Sequence, residues 1–179
     1  FETYLYGELK KNCSNYDNDY GTLIIPGSGI NQSSKIYKEN KDNYHYGIIE
    51  SFENLSDNHI YVLIKPNEDS RAWHNGTFKK VSGEYIYHWQ LHNGGSYSFS
   101  YLVESLAATK FLKKCFGKTI LAGLSQGGGA VLLNSFQSNP DFAISSSSYY
   151  LAAEEIYRAN SHQILGIDEY SEFFNKEFL

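Results

Sequence analysis

Apolar residues along this chain fall into short β-branched runs separated by longer stretches with helical spacing. Thr22-Leu-Ile-Ile-Pro26 is an apolar run that stops at Pro26-Gly-Ser-Gly29, which reads as a buried strand opening into a tight turn. Ile60 to Lys65 repeats the pattern and ends at Pro66. Between the two, Tyr44, Ile48, Ile49 and Phe52 line one face of a helix predicted over Tyr44 to Leu55. From Phe99 a second stripe, Leu102, Val103, Leu106, Ala107, Phe111 and Leu112, predicts a longer helix. Lys113 and Lys114 complement the dipole of its last turn and Gly117 closes it. Thr119 to Gly123 then reads as a strand, followed by a glycine-dense turn, a helix over Ala130 to Phe136, and a strand from Phe142 to Ser145.

Strand and helix alternate throughout, which predicts the α/β class: a mostly parallel sheet, helices on both faces, and right-handed crossovers. In such sheets, sites form beyond the carboxyl ends of the strands. At 179 residues the chain is expected to make a single domain over 1–179, with its core at about 20–150.

One of those strand ends carries chemistry. Gly123-Leu-Ser125-Gln-Gly127 fits G-x-S-x-G, with an apolar strand running directly into it and a small-residue, then apolar, helix running out. That context is what the pattern requires, because a serine on a sharp strand-to-helix turn leaves no room for side chains on its neighbours. Gly123 and Gly127 are therefore expected to be elbow glycines. The amide of Gln126, at the helix N-terminus, is expected to face the position where negative charge develops on a tetrahedral intermediate. A plain corner-turning loop is the bland alternative. A phosphate cradle would want a lysine, as in G-x-x-x-x-G-K-[ST], and none follows.

The segment Ile120-Leu-Ala-Gly-Leu-Ser-Gln-Gly-Gly-Gly-Ala-Val-Leu-Leu133 resembles the nucleophile elbow of the α/β-hydrolase superfamily, in particular its esterase and lipase-like branches. Leu23 to Gly29 resembles the strand and turn where these enzymes carry an oxyanion element, with Pro26 in place of the usual histidine. The resemblance covers roughly residues 20–150. It implies an α/β-hydrolase-like three-layer sandwich and an acyl-enzyme formed on Ser125. It also implies oxyanion donors at Gln126 and Ser28, with Gly29 as the neighbouring alternative, and it implies no cofactor.

The resemblance also implies an acid and then a histidine after the serine, and only 179 − 125 = 54 residues follow Ser125. Glu154, Glu155, Asp168 and His162 are present there, but Glu155 and His162 sit two turns apart in a segment, Ala152 to Leu165, that reads as a helix. The chain is therefore expected to lack the C-terminal strands of the fold, and to need a C-terminal segment or a partner chain that supplies the missing acid and base. As given, it is expected to be inactive without them. His45, His59, His74, His88 and His92 precede the serine and read as structural. His88-Trp89-Gln-Leu-His92 offers no third ligand, so no metal site is expected.

Composition narrows the partners. A net charge of −5 and only two arginines, Arg71 and Arg158, argue against nucleic acid, which needs a clustered cationic face. The apolar runs are too short for a membrane span. Cys13 and Cys115 lack metal-ligand spacing, and Cys115 reads as a buried thiol. The expected substrate is a small-molecule ester or a carbohydrate ester, the latter because Tyr85 to Trp89 offers aromatic stacking surface. The alternatives are another acyl transfer (peptidase, thioesterase or acyltransferase) and a non-catalytic binding protein on the same fold.

Overall fold

Alternate residues of a strand face opposite sides of its sheet, and the run Leu23-Ile24-Ile25 uses both sides. Leu23 and Ile25 enter one core with Tyr61, Leu63, Leu121, Leu112 and Val131, whereas Ile24 enters another with Val62 and Ile49. A strand buried on both faces is apolar at every position, which is why this run carries no polar alternation.

The computed structural model describes residues 3, 5–7, 16–27, 46–65 and 97–146. Their elements are β1 (Leu5–Tyr6), β2 (Tyr16–Ile25), α1 (Tyr46–Glu53), β3 (Asn58–Leu63), α2 (Tyr97–Cys115), β4 (Phe116–Leu124), α3 (Gln126–Ser138) and β5 (Phe142–Ser146). The strands form one mixed, mostly parallel sheet in the order β1-β3-β2-β4-β5, with only the β1–β3 pair antiparallel. Helices α2 and α3 contribute Tyr101, Ala108, Leu112, Ala130 and Val131 to the core on one face, and α1 contributes Ile49 to the core on the other. The expected α/β class with a mostly parallel sheet is thus present. No described helix is long and apolar enough to cross a membrane.

Several boundaries differ from the sequence expectation. β2 starts at Tyr16, within the polar Asn/Asp/Tyr stretch, because Tyr16 and Tyr20 pair with Phe116 and Lys118 of β4. Gly117 does not close α2 but lies inside β4, which follows the helix without an intervening turn. α3 starts at Gln126 rather than Ala130. Cys115 is buried as expected, yet it is disulfide-bonded rather than a free thiol. The chain holds one other cysteine, Cys13, 102 positions away, a separation at which sequence spacing carries no pairing signal.

The C-terminal end of α3 is fastened by a backbone cap and by a lysine of α2. Asn139 adopts a left-handed C-cap at φ 47° and its N–H donates to Ser135 O. Lys113 Nζ donates to the carbonyls of Ser138 and Asn139, each at 2.8 Å, placing a cation on the negative end of the helix dipole. Asp141 then accepts from the Thr119 N–H at 2.7 Å, which anchors the turn into β5 against β4.

Candidate active site

β4 delivers Ser125 to the carboxyl edge of the sheet, and α3 leaves from the next residue. Ser125 has φ 57° and ψ −123°, a backbone conformation that a residue with a side chain rarely adopts. Such a residue costs about 1–3 kcal/mol and persists only where its surroundings impose it.

Those surroundings explain both glycines of the motif. A Cβ at Gly123 would collide with the backbone of Gly127 and come within 2.9 Å of the Gly128 nitrogen. A Cβ at Gly127 would collide with the Ile25 carbonyl and come within 2.5 Å of the Pro26 oxygen. The turn therefore packs backbone to backbone, against itself at Gly123 and against the end of β2 at Gly127.

The elbow is also tied to the other neighbouring strand. Ser125 N–H donates to Ser146 O at 2.9 Å, and Ser145 Oγ donates to Gly128 O at 2.8 Å. Ser125 is the N-cap of α3, and its side chain makes no capping hydrogen bond, so the hydroxyl is not consumed by the helix it starts. Ser125 as a residue is partly exposed. The first helical hydrogen bond runs from Gly129 N–H to Ser125 O at 3.2 Å, so the amide of Gln126 belongs to the opening turn that precedes it. The positive end of the α3 dipole lies at the same place.

Beside the elbow, Ile25 of β2 pairs with Gly123 of β4, so the loop after β2 starts next to Ser125. Pro26 and Gly27 are buried there. Tyr101 of α2 donates its hydroxyl to Pro26 O at 2.5 Å, and Lys65, just past β3, donates Nζ to Gly27 O at 2.6 Å. The expected oxyanion positions Ser28 and Gly29 lie outside the described residues. Tyr101 and Lys65 escaped the sequence reading: a tyrosine within an apolar helical stripe looks like core, and a lysine closing a strand looks solvated.

His59 is the one histidine among the described residues, and it does not approach the serine. It sits at the amino end of β3, its Nε2 2.9 Å from Asp19 Oδ2, its ring stacked on Phe116 at 5.0 Å between centroids. His59 pairs with Gly21, which pairs with Thr119, six residues before Ser125 along β4. At about 3.3 Å per residue that is about 20 Å of strand. His45, His74, His88, His92 and His162, with Glu154, Glu155, Asp168 and the aromatic segment Tyr85 to Trp89, lie outside the described residues. Among the described residues no cluster of His, Cys, Asp and Glu could hold a metal ion.

Comparison with protein-family models, curated proteins and solved structures finds no match to this chain.

Proposed function

We propose that this protein is a serine hydrolase that cleaves a carboxylic ester through an acyl-enzyme on Ser125. The observation that carries the reading is the backbone of Ser125, strained at φ 57° between a buried strand and a helix N-terminus, with its hydroxyl unused by the helix. A fold has no stability reason to hold a serine at such an angle, whereas a nucleophile gains exposure from it. The backbone contact between Gly127 and the end of β2 also supports the reading, because it holds Pro26 against the elbow, on the side where the mechanism calls for a second oxyanion donor.

In this mechanism a histidine base, oriented by a carboxylate, takes the proton of Ser125 Oγ as the oxygen adds to the ester carbonyl. The tetrahedral intermediate is stabilised by the Gln126 amide and by an amide at Ser28 or Gly29. Collapse breaks the ester C–O bond, and the alcohol leaves with the proton from the histidine. Water then repeats the sequence on the acyl-enzyme and releases the acid. The histidine and its carboxylate are assigned to a segment following β5 or to a partner chain. The edge strand β5 leaves Phe142 53 % and Ile144 49 % exposed, as suits a sheet that gains a further covering element there. The fold this implies is the α/β-hydrolase three-layer sandwich.

A tagged fluorophosphonate tests the assignment. The full-length protein is expected to become labelled at Ser125, and Ser125→Ala to lose both the label and ester turnover. A folded wild-type protein that takes no label and turns over no acyl, peptidyl or thioester substrate would be a binding protein on this fold instead.

A further inference from the structure

The connection between α1 and β3 carries a motif that the proposed hydrolase does not use. Asn54-Leu55-Ser56 fits N-x-[ST] with a residue other than proline in the middle, the acceptor pattern for an N-linked glycan. Four such triplets occur in the chain, beginning at Asn12, Asn31, Asn54 and Asn75, and an Asn- and Ser-rich sequence produces them by accident. Accessibility therefore has to select among them, and Asn54 is the one within the described residues.

The helix α1 ends at Glu53 and β3 begins at Asn58, so the triplet lies wholly between the two elements. Asn54, Leu55, Ser56 and Asp57 are all exposed. The base of the turn is held by main-chain bonds: Leu55 N–H donates to Phe52 O at 3.2 Å, and Tyr20 N–H donates to Asp57 O at 2.8 Å. Asp57 reverses the chain at φ 57°, and Asn58 Nδ2 donates to Phe52 O at 3.0 Å. Asn54 Nδ2 makes a long, exposed contact with Glu50 O at 3.4 Å. A glycosylated amide keeps one N–H, so attachment of a sugar does not require that contact to be given up. An independent observation points to the compartment where such attachment happens: Cys115 is disulfide-bonded. Disulfides form and persist in oxidising surroundings such as the lumen of the secretory pathway.

We propose that Asn54 is an N-glycosylation site, modified while the chain passes through the secretory pathway. The donor is an oligosaccharide carried on a polyprenyl pyrophosphate. Asn54 Nδ2 bonds to the anomeric carbon of the first sugar as the bond from that carbon to the pyrophosphate oxygen breaks. The lipid pyrophosphate leaves with the electron pair, and the proton lost from Nδ2 passes to a base of the transferase. The proposal does not depend on the role assigned to Ser125.

The test uses the full-length protein purified from its own cells without reductant and treated with a peptide N-glycosidase in heavy-oxygen water. The peptide containing Asn54 is expected to carry heavy oxygen at that position in most molecules, which separates enzymatic release from earlier spontaneous deamidation. Asn54→Gln and Ser56→Ala, expressed in the same cells, should lose the label and migrate one glycan step faster on a denaturing gel. Ser56→Thr keeps the hydroxyl that the motif requires and should retain both, which separates loss of that group from disturbance of the turn. Asn54 unmodified in most wild-type molecules, the label retained in Ser56→Ala, or Cys115 recovered as a free thiol would overturn the proposal.

Discussion

At Ser125 the chain accepts an unfavourable backbone conformation because the atoms around it allow no other. The residues on either side show how tight that constraint is. Gly127 lies against the carbonyls of Ile25 and Pro26, main-chain atoms at and just past the end of a central strand, which cannot swing aside as a flexible side chain would. Gly127→Ala is therefore expected to cost about 3 kcal/mol or more, read as a lower urea midpoint at unchanged m-value. The surviving folded fraction should label poorly with fluorophosphonate, since the elbow must move for the methyl group to fit. A substitution cost below about 1 kcal/mol would mean that the two segments are not packed this closely.

Among the elements, α2 and α3 are joined by a buried polar seam. Asn134 of α3 is fully buried and donates to Ser105 Oγ at 3.1 Å and Thr109 Oγ1 at 2.9 Å, both on α2. Those hydroxyls in turn donate to the carbonyls of Leu102 and Ser105. Asn134→Ala removes both bonds and leaves a gap, and it is expected to cost about 2 kcal/mol in chemical denaturation. What could be read from the sequence at this scale follows from burial. Leu23 to Ile25 and Ile60 to Leu63 were recognisable as strands because both of their faces are covered, and the α2 stripe because its apolar positions recur with helical spacing. The first turn of α3 was hidden, since Gly127, Gly128 and Gly129 are poor helix formers and the turn is imposed by the elbow contacts. β1 was hidden for another reason: its two residues carry no local signal and owe their state to pairing with Leu63 and Val62. Ser125, Gly123 and Gly127 were legible because their signal is contiguous in sequence. The contacts of Tyr101 and Lys65 with Pro26 and Gly27 were not, because they exist only where α2, the end of β3 and the end of β2 converge.

Across the described part of the molecule, the four parallel strands give the sheet two distinct ends. The carboxyl end carries Ser125, the Pro26–Gly27 loop and their supports. The amino end carries the His59–Asp19 pair, 19 % and 24 % exposed and packed on Phe116. Asp19→Asn is accordingly expected to lower stability by about 1 kcal/mol or less and to leave kcat and KM within twofold of wild type. Loss of turnover in a folded Asp19→Asn protein would show that the two ends are coupled. The division also gives the molecule a usable back. The exposed turn over Asn54 to Asp57 lies at that rear end, just before β3 begins. A dye, a bead or a sensor surface attached there would sit at the end of the sheet away from Ser125, so on the proposed hydrolase reading an incoming ester would meet the immobilised protein much as it meets it free.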